Sequence, residues 1–259
     1  MASDGSVYVA DGNNHRIQKF TSAGVLVSQW GTNGTGNGKF KTPWGIAVAP
    51  DGSVYVSETG NDRIQQFDVN GVFVTKWGSN GTGNGKFKNP KGIAVASDGS
   101  VYVADTSNHR IQRFTSAGVF VSKWGTSGTG NGEFENPRVA VASDGSVYVL
   151  SATNPRIQKF TSAGVFVSKW GTSGTDDGQF QQPKGIAVAS DGSVYVSEFG
   201  TDRIQKFTSD GVFIIKWGTE GTADGLFKNP EGLAVAPDGS VYVSETGNND
   251  RMQKFSVGP

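Results

Sequence analysis

Short runs of alternating apolar and polar residues follow one another along this chain, and turn-forming residues separate the runs. Alternation with a period of two, bounded by Gly, Pro, Asn or Asp, is typical of β-strands joined by tight turns. No stretch has the period of a helix. The pattern predicts a meander of four strands a, b, c and d, which in the second repeat are Gly45–Ala49, Ser53–Ser57, Arg63–Phe67 and Val72–Trp77.

Both faces of the predicted strands are apolar or small. In strand a, Ile46 and Val48 point to one side, and Ala47 and Ala49 to the other. A sheet with two such faces needs protein on both sides, and radially stacked sheets provide it. Large rings then pack on the small Ala facets of the next sheet. The tryptophans that end strand d are therefore predicted packing residues: Trp30, Trp77, Trp124, Trp170 and Trp217.

One hexapeptide, DGSVYV, occurs six times along the chain. It begins at Asp4, Asp51, Asp98, Asp144, Asp191 and Asp238, at spacings of 47, 47, 46, 47 and 47 residues. A fixed period of this size marks a repeat protein, in which each unit buries its apolar surface against its neighbours. Because the repeat is unbroken, we predict a single domain over residues 1–259.

The repeat resembles the NHL family of β-propellers. The Asn-His step of that family stands here as Asn14-His15-Arg16 and Asn108-His109-Arg110, within a pattern P-x-G-I-A-V-A, D-G-S-V-Y-V, N-H-R-I-Q-x-F and W-G. The His is replaced by Asp62, Asp202 and Asp250, and by Pro155 in the fourth repeat. The resemblance implies an all-β propeller of four-stranded antiparallel blades, typically six. The family contains protein-binding modules, RNA-binding modules and a few enzymes, so it does not define an activity.

The number of blades stays open at this point. Strands b and c occur six times, but a and d only five times each, which makes 22 strands where six full blades need 24. We favour six blades with two incomplete ones. The alternatives are a five-bladed ring in which Gly232–Ala236 completes the first blade and leaves a spare hairpin, and strand exchange between chains. The stretches Thr115–Thr129 and Thr161–Thr175 are identical, as expected for recent duplication, and the ragged ends fit a fragment, a permuted form or an engineered protein.

Composition excludes several classes of site. Lys+Arg and Asp+Glu both number 23, so net charge favours neither nucleic acid nor anionic membrane. The chain has no Cys and therefore neither disulfides nor thiolate metal ligands. The repeat begins at Asp4, so no signal peptide is expected, and no apolar run approaches membrane-spanning length. The compartment is left open.

Acidic and basic residues recur together at the turn between strands b and c. An acid ends strand b and an Arg begins strand c, and the hairpin places the two opposite each other. We predict a series of structural ion pairs, of modest energy if exposed. The pairs are Asp11 with Arg16, Glu58 with Arg63, Asp105 with Arg110, Glu198 with Arg203, and Glu245 with Arg251.

The fourth repeat departs from this pattern. Leu150 and Ser151 stand where the acid is expected, opposite Arg156. One residue is missing before Val139, so Arg138 takes the place that Gly92 and Gly185 have elsewhere. An anion-binding spot formed by Arg138 and Arg156 is one hypothesis, and sequence drift in a tolerant repeat is the favoured alternative.

Residues just before strand a vary on an otherwise uniform scaffold. They are expected to line the mouth of the central channel, where varied residues would give specificity, although decoration of a solvated rim explains them equally well. These candidate binding residues are Trp44, Lys91, Arg138, Lys184 and Glu231.

A basic patch is predicted on neighbouring d–a loops beside Trp44, and cations beside an aromatic ring suit single-stranded RNA. Its members are Lys39, Lys41, Lys86, Lys88 and Lys91. The following loops carry Glu133, Glu135, Gln179 and Gln181, so the patch is local.

Signals for catalysis are poor. His15 and His109 occupy equivalent places in separate repeats, and Glu231 is the one acid expected at the channel mouth. We therefore predict no catalytic residue, metal or cofactor. The chain is interpreted as a non-catalytic scaffold whose b–c and d–a loops bind a protein or peptide. An RNA-binding module is the first alternative and a lactonase- or lyase-like enzyme the second, and no membrane partner is expected.

Overall fold

Each repeat forms one antiparallel sheet. The computed structural model describes residues 1–247 and 249–256, and the chain falls into two compact units, Met1–Gly128 and the part that begins at Thr129. The strands of the first unit are β1 (Val7–Asp11), β2 (Arg16–Phe20), β3 (Leu26–Trp30), β4 (Pro43–Val48), β5 (Val54–Glu58), β6 (Arg63–Phe67), β7 (Phe73–Trp77), β8 (Pro90–Val95), β9 (Val101–Asp105), β10 (Arg110–Phe114), β11 (Phe120–Trp124) and β12 (Thr126–Ser127).

The second unit repeats the same order of elements. Its strands are β13 (Glu133–Phe134), β14 (Pro137–Val141), β15 (Val147–Ser151), β16 (Arg156–Phe160), β17 (Phe166–Trp170), β18 (Pro183–Val188), β19 (Val194–Glu198), β20 (Arg203–Phe207), β21 (Phe213–Trp217), β22 (Pro230–Val235), β23 (Val241–Glu245) and β24 (Met252–Phe255). Within the described residues, the one helical element is a 3-10 turn at Thr106–Asn108. No helix in this part of the chain is long and apolar enough to span a membrane.

Six blades are present, three in each unit. The first blade is the three-stranded sheet β1-β2-β3, the last is β22-β23-β24, and the four between them have four strands each. The prediction of an all-β propeller with six blades is confirmed. The five-bladed alternative is wrong, because β22 pairs with β23 of its own blade, with Leu233 opposite Val243. Strand exchange between chains stays a prediction.

The a–b turn shows why the hexapeptide recurs. The Oδ1 atom of Asp51 accepts a hydrogen bond from the Ser53 N–H at 2.9 Å, an Asx turn that favours this connection. Gly52 between them has a φ of 88°, a left-handed conformation in which a Cβ atom is strained. The sequence Asp-Gly-Ser is therefore the chemistry that this turn requires.

Aromatic rings connect each blade to the next within a unit. Trp77 meets Tyr55 of its own blade edge-on, at 6.1 Å between ring centroids, and Phe114 of the following blade at 5.8 Å. Phe87, from the intervening loop, packs against Phe114 in a tilted arrangement, at 5.6 Å between ring centroids. The predicted packing role of the strand-d tryptophans corresponds to these contacts, which build the apolar core between neighbouring sheets.

The first strand of the fourth blade lacks the β-bulge that the first strands of other blades have. In β18 the register with β19 shifts between Pro183 and Gly185, whereas Pro137 and Arg138 pair in unbroken register with Ser151 and Leu150. The missing residue therefore removes a bulge and leaves the strand intact. Arg138 occupies the place of the glycine.

Candidate functional site

The acid that ends strand b is the centre of a hydrogen-bond cluster, here called the carboxylate hub. In the second repeat, Oε1 of Glu58 accepts hydrogen bonds from Arg63 Nε at 2.5 Å and from Gln65 Nε2 at 2.8 Å. Oε2 accepts from Asn61 Nδ2 at 2.6 Å and from the Lys41 N–H at 3.0 Å. One carboxylate thus satisfies four donors from strand c, from the b–c turn and from the preceding loop.

The arginine of the hub holds the d–a loop that enters the blade. Arg63 Nη1 donates to the Thr35 carbonyl at 2.5 Å, and Nη2 donates to the carbonyls of Gly36 and Lys39 at 3.0 and 2.8 Å. Gln65 completes the attachment, since its Oε1 accepts from the Gly38 N–H at 3.0 Å. The planar guanidinium donates in several directions at once, which is why Arg suits this position.

The same cluster recurs in four other repeats. Each acid accepts from the Arg Nε at 2.7–2.8 Å and from a Gln two residues after that Arg. The acid, arginine and glutamine are Asp11, Arg16 and Gln18 in the first repeat, Asp105, Arg110 and Gln112 in the third, Glu198, Arg203 and Gln205 in the fifth, and Glu245, Arg251 and Gln253 in the sixth.

Burial of these pairs differs from the expectation of exposed ion pairs. The side chains of Glu58, Asp105 and Glu198 are 0% exposed, whereas those of Asp11 and Arg16 are 18% and 35% exposed. Burial alone would raise the pKa of Glu245, but hydrogen bonds from Arg251, Lys228 N–H and Gln253 outweigh it and lower that pKa. The hub carboxylates are therefore structural hydrogen-bond acceptors, enclosed by their donors.

Sequence reasoning found the acid and the Arg of the hub but missed the glutamine. The available signal was the motif R-I-Q-x-F, in which Gln is two residues after Arg and so lies on the same face of strand c. The side chain of Gln65 is fully buried, which is unusual for this residue type and is explained by its three partners.

The histidine of the Asn-His step caps the loop of the next repeat. His15 Nδ1 accepts a hydrogen bond from the Thr42 N–H at 3.2 Å, and its φ is 56°. In the repeats with Asp at this place, Asp62 and Asp202 accept from the Asn89 and Asn229 N–H groups at 2.7 and 2.8 Å. His and Asp are interchangeable here because both tolerate a left-handed backbone and both carry an acceptor.

The two arginines of the predicted anion spot lie on different strands, with β15 between them. Arg138 on β14 and Arg156 on β16 flank β15, where they pair with Leu150 and Ser151. Arg138 Nη1 donates to the carbonyls of Asn136 and Pro137, and Arg156 Nη2 donates to those of Gly130 and Glu133. The two guanidinium groups thus hold different segments of the chain.

The candidate mouth residues fall into contrasting environments. In the first unit, Trp44 is 36% exposed and the Nζ atom of Lys91 lies 4.4 Å from its ring centroid. In the second unit, Lys184 Nζ lies 5.1 Å from the ring of Phe199. Arg138 is buried, which lowers its pKa to about 10, and the charge of Glu231 opposes that shift. Burial of Arg138 was not expected from the sequence.

In the basic patch, the lysine side chains and the lysine backbone groups have different roles. The side chains of Lys39, Lys41, Lys86 and Lys88 are exposed, and Lys91 is half-buried. Their backbone groups serve the hubs, since the Lys88 N–H donates to Asp105 at 2.7 Å and the Lys86 carbonyl accepts from Arg110 at 2.9 Å. The exposed ammonium groups are therefore carried by loops whose backbone is fixed by hydrogen bonds to the hubs.

An open depression of about 520 Å³ lies beside the third b–c turn. Asn108, His109 and Arg110 form one side, and Lys123 and Trp124 at the end of β11 form another. Among the described residues, no group of three or more His, Cys, Asp and Glu side chains could hold a metal ion. No metal ligand set is assigned to this part of the chain.

The chain belongs to the NHL repeat family. The family matches residues 1–20, 40–67, 87–114, 180–207 and 227–255, which together make up just over half of the sequence. The fourth repeat, which lacks the hub acid, lies outside these segments. No curated protein is significantly similar to the chain in sequence.

Solved structures with the same fold have diverged far in sequence. A streptogramin B lyase is 18% identical with a TM-score of 0.68, over 98% of this chain and 76% of the lyase. Virginiamycin B lyase from Staphylococcus aureus is 17% identical with a TM-score of 0.67, over 99% and 83%. A chain of a nidogen/laminin complex is 15% identical with a TM-score of 0.68, over 93% and 84%. At these identities the likeness shows the fold alone.

Proposed function

We propose that the chain is a non-catalytic binding module of the NHL type that takes an acidic peptide or protein segment on the loops of its first unit. The observation that carries this proposal is the contact between Trp44 and Lys91, which joins an exposed aromatic ring to an ammonium group at 4.4 Å. Trp and cations are enriched where partners bind. The exposed Lys39, Lys41, Lys86 and Lys88 precede Trp44 and Lys91 on the same two loops and add positive charge to them.

The non-catalytic part of the proposal is supported by the hubs. A general acid or base must reach the substrate proton, and the side chains of Glu58 and Asp105 are fully buried under their donors. The acids that recur in every regular repeat are thus occupied as structural acceptors.

Fluorescence anisotropy with labelled peptides tests the proposal. We expect an acidic peptide to bind and a basic peptide of equal length not to bind. Trp44→Ala is expected to weaken binding about tenfold or more, and Lys91→Gln to weaken it less. Lys76→Gln is the matched control, because Lys76 is exposed on β7. Equal affinity of wild type and Trp44→Ala would contradict the proposed surface.

Single-stranded RNA is a second candidate for the same surface, since bases stack on aromatic rings beside cations. This candidate predicts that oligouridine binds with an affinity that falls steeply with salt, as counterions are released. Absence of binding at low salt removes RNA and leaves the peptide.

Lyase activity is the third candidate, supported by the shared fold with the streptogramin B and virginiamycin B lyases. We expect no turnover of a streptogramin B substrate by the purified chain. Turnover that Glu231→Gln abolishes would replace the binding proposal with an enzymatic one.

A further inference from the structure

The fourth repeat keeps the donors of a carboxylate hub but lacks the carboxylate. Ser151 stands opposite Arg156 at the place where Glu58 stands opposite Arg63 and Glu198 opposite Arg203. A hydroxyl thus replaces the two oxygens of a carboxyl group.

The hydroxyl of Ser151 is itself unsatisfied. The residue is 0% exposed, and its Oγ atom has no hydrogen-bond partner among the described residues. Buried polar atoms are rarely left in this state, and each such atom points to an occupant such as water or an ion.

Gln158 shows what the site would offer to an occupant. In the second repeat, Gln65 Nε2 donates both to the Lys39 carbonyl and to Glu58. Gln158 Nε2 donates to the equivalent carbonyl of Glu133 at 2.8 Å, and Ser151 provides no carboxylate for its second hydrogen. By the strand register, the Gln158 amide and the Ser151 hydroxyl lie on the same face of the sheet as Arg156.

Neighbouring acids limit the charge that the site can accept. Glu133 and Glu135 on the preceding loop interact electrostatically with Arg156. Glu133 Oε2 accepts from the Gly130 N–H at 2.8 Å, which holds that carboxylate on the loop. A divalent anion would be repelled by both acids, whereas a monovalent anion the size of the missing carboxylate has the charge and the acceptors that the hub uses elsewhere.

We propose that the fourth repeat binds a small monovalent carboxylate, such as formate, beside Ser151 Oγ, Gln158 Nε2 and the Arg156 guanidinium, in the place of the hub acid of the other repeats. The bound anion accepts hydrogen bonds equivalent to those that Arg63 and Gln65 donate to Glu58 in the second repeat. This site is independent of the peptide surface proposed above.

Thermal unfolding at constant ionic strength tests the site, with formate replacing gluconate, which is too large for the space of one carboxylate. The wild-type midpoint is expected to rise by about 3 °C when formate reaches roughly ten times its dissociation constant. Ser151→Glu, which restores an acid at the place where the five other repeats have Asp or Glu, is expected to unfold at a higher temperature in gluconate and to lose the response to formate.

Two further variants keep the test decisive. Ser168→Glu adds the same charge on β17, opposite Lys159, and is expected to keep the wild-type response. Ser151→Ala removes only the hydroxyl and is expected to weaken the formate response, which carries the test if Ser151→Glu does not fold. An equal wild-type midpoint in formate and gluconate, or an unchanged response in both Ser151 variants, overturns the proposal. Crystals soaked in bromide should show an anomalous peak beside Ser151 Oγ, and a peak elsewhere counts against the site.

Discussion

Glu58 and Asp11 occupy the same place in their repeats but differ in exposure. Glu58 is fully buried with four donors, and the side chain of Asp11 is 18% exposed. A buried pair is weak evidence for net stability, yet removal of one partner leaves an uncompensated charge. The energetic role of the hub residue therefore depends on burial and not on its identity.

We expect Glu58→Ala to lower the free energy of unfolding by about 3–5 kcal/mol, because Arg63 keeps its charge in a buried place. The equivalent change Asp11→Ala is expected to lower it by about 1 kcal/mol or less. Urea unfolding followed by tryptophan fluorescence measures both. Equal effects of the two variants would contradict a role of burial.

The residue at the His place of the repeat is expected to tolerate exchange for Asp. His15→Asp keeps an acceptor for the Thr42 N–H and a residue type that accepts a positive φ, so its stability should lie within about 0.5 kcal/mol of wild type. His15→Ala loses the acceptor and should be destabilised by about 1–2 kcal/mol. The denaturant midpoints of the two variants and of wild type measure these differences. A destabilised His15→Asp variant would count against the capping role.

The stability of the a–b turn is expected to depend on pH. Hydrogen bonds from the backbone and hydroxyl of Ser6, Ser100 and Ser193 lower the pKa values of Asp4, Asp98 and Asp191 from their ordinary value of 3.8. A carboxyl whose pKa is lowered by folding stabilises the fold above its unfolded pKa, and this stabilisation is lost as the pH falls through the folded value.

The melting temperature is therefore expected to be nearly constant between about pH 7 and 5 and to fall below about pH 4. Differential scanning calorimetry across this range measures the fall. Asp98→Asn keeps an acceptor without the titration, so its melting temperature should decline less in acid than that of wild type. The same slope in both proteins would contradict the assignment.

Strand a approaches the next blade closely at its glycine. A Cβ atom on Gly45 would lie 2.1 Å from the Lys91 carbonyl oxygen and 2.7 Å from Ser57 Oγ. Ser57 Oγ accepts from the Gly45 N–H at 2.9 Å and donates to that carbonyl at 2.6 Å. One serine thus connects two neighbouring inner strands, and only glycine leaves room for it.

Gly45→Ala is expected to lower the free energy of unfolding by about 1–3 kcal/mol, because the backbone must shift to relieve the contact. Gly36→Ala is the matched control, since its Cβ would meet only the flexible end of Lys39, at 3.6 Å. Chemical denaturation of the two variants measures the difference. A Gly45→Ala variant as stable as the control would contradict close approach of the strands.

At the scale of the whole molecule, stability is a sum of contacts between neighbouring repeats. Tryptophan at the end of strand d takes part in these contacts within each unit, since Trp77 meets Tyr55 in one blade and Phe114 in the next. The exposed valines of the same strands, such as Val74 at 54%, contribute little to them.

Trp77→Ala is expected to destabilise the protein by about 3–5 kcal/mol, through lost burial on two blades. Val74→Ala on the same strand should change stability by less than about 0.5 kcal/mol. Thermal and urea unfolding measure both changes. If the two variants unfold alike, the rings are not the principal contact between blades.

The sequence alone determined the repeat, the strands of each blade, and the opposition of acid and Arg at the b–c turn. Each of these depends on residues a few positions apart, so period and spacing are sufficient. Tertiary structure decided the burial of the hubs, the part played by Gln65, the enclosure of Arg138 and the unsatisfied hydroxyl of Ser151. These depend on loops and strands brought together from about 24 to 34 positions away, as in the bonds from Arg63 to Lys39 and from Ser57 to Lys91, and local periodicity does not report which side chains such contacts enclose.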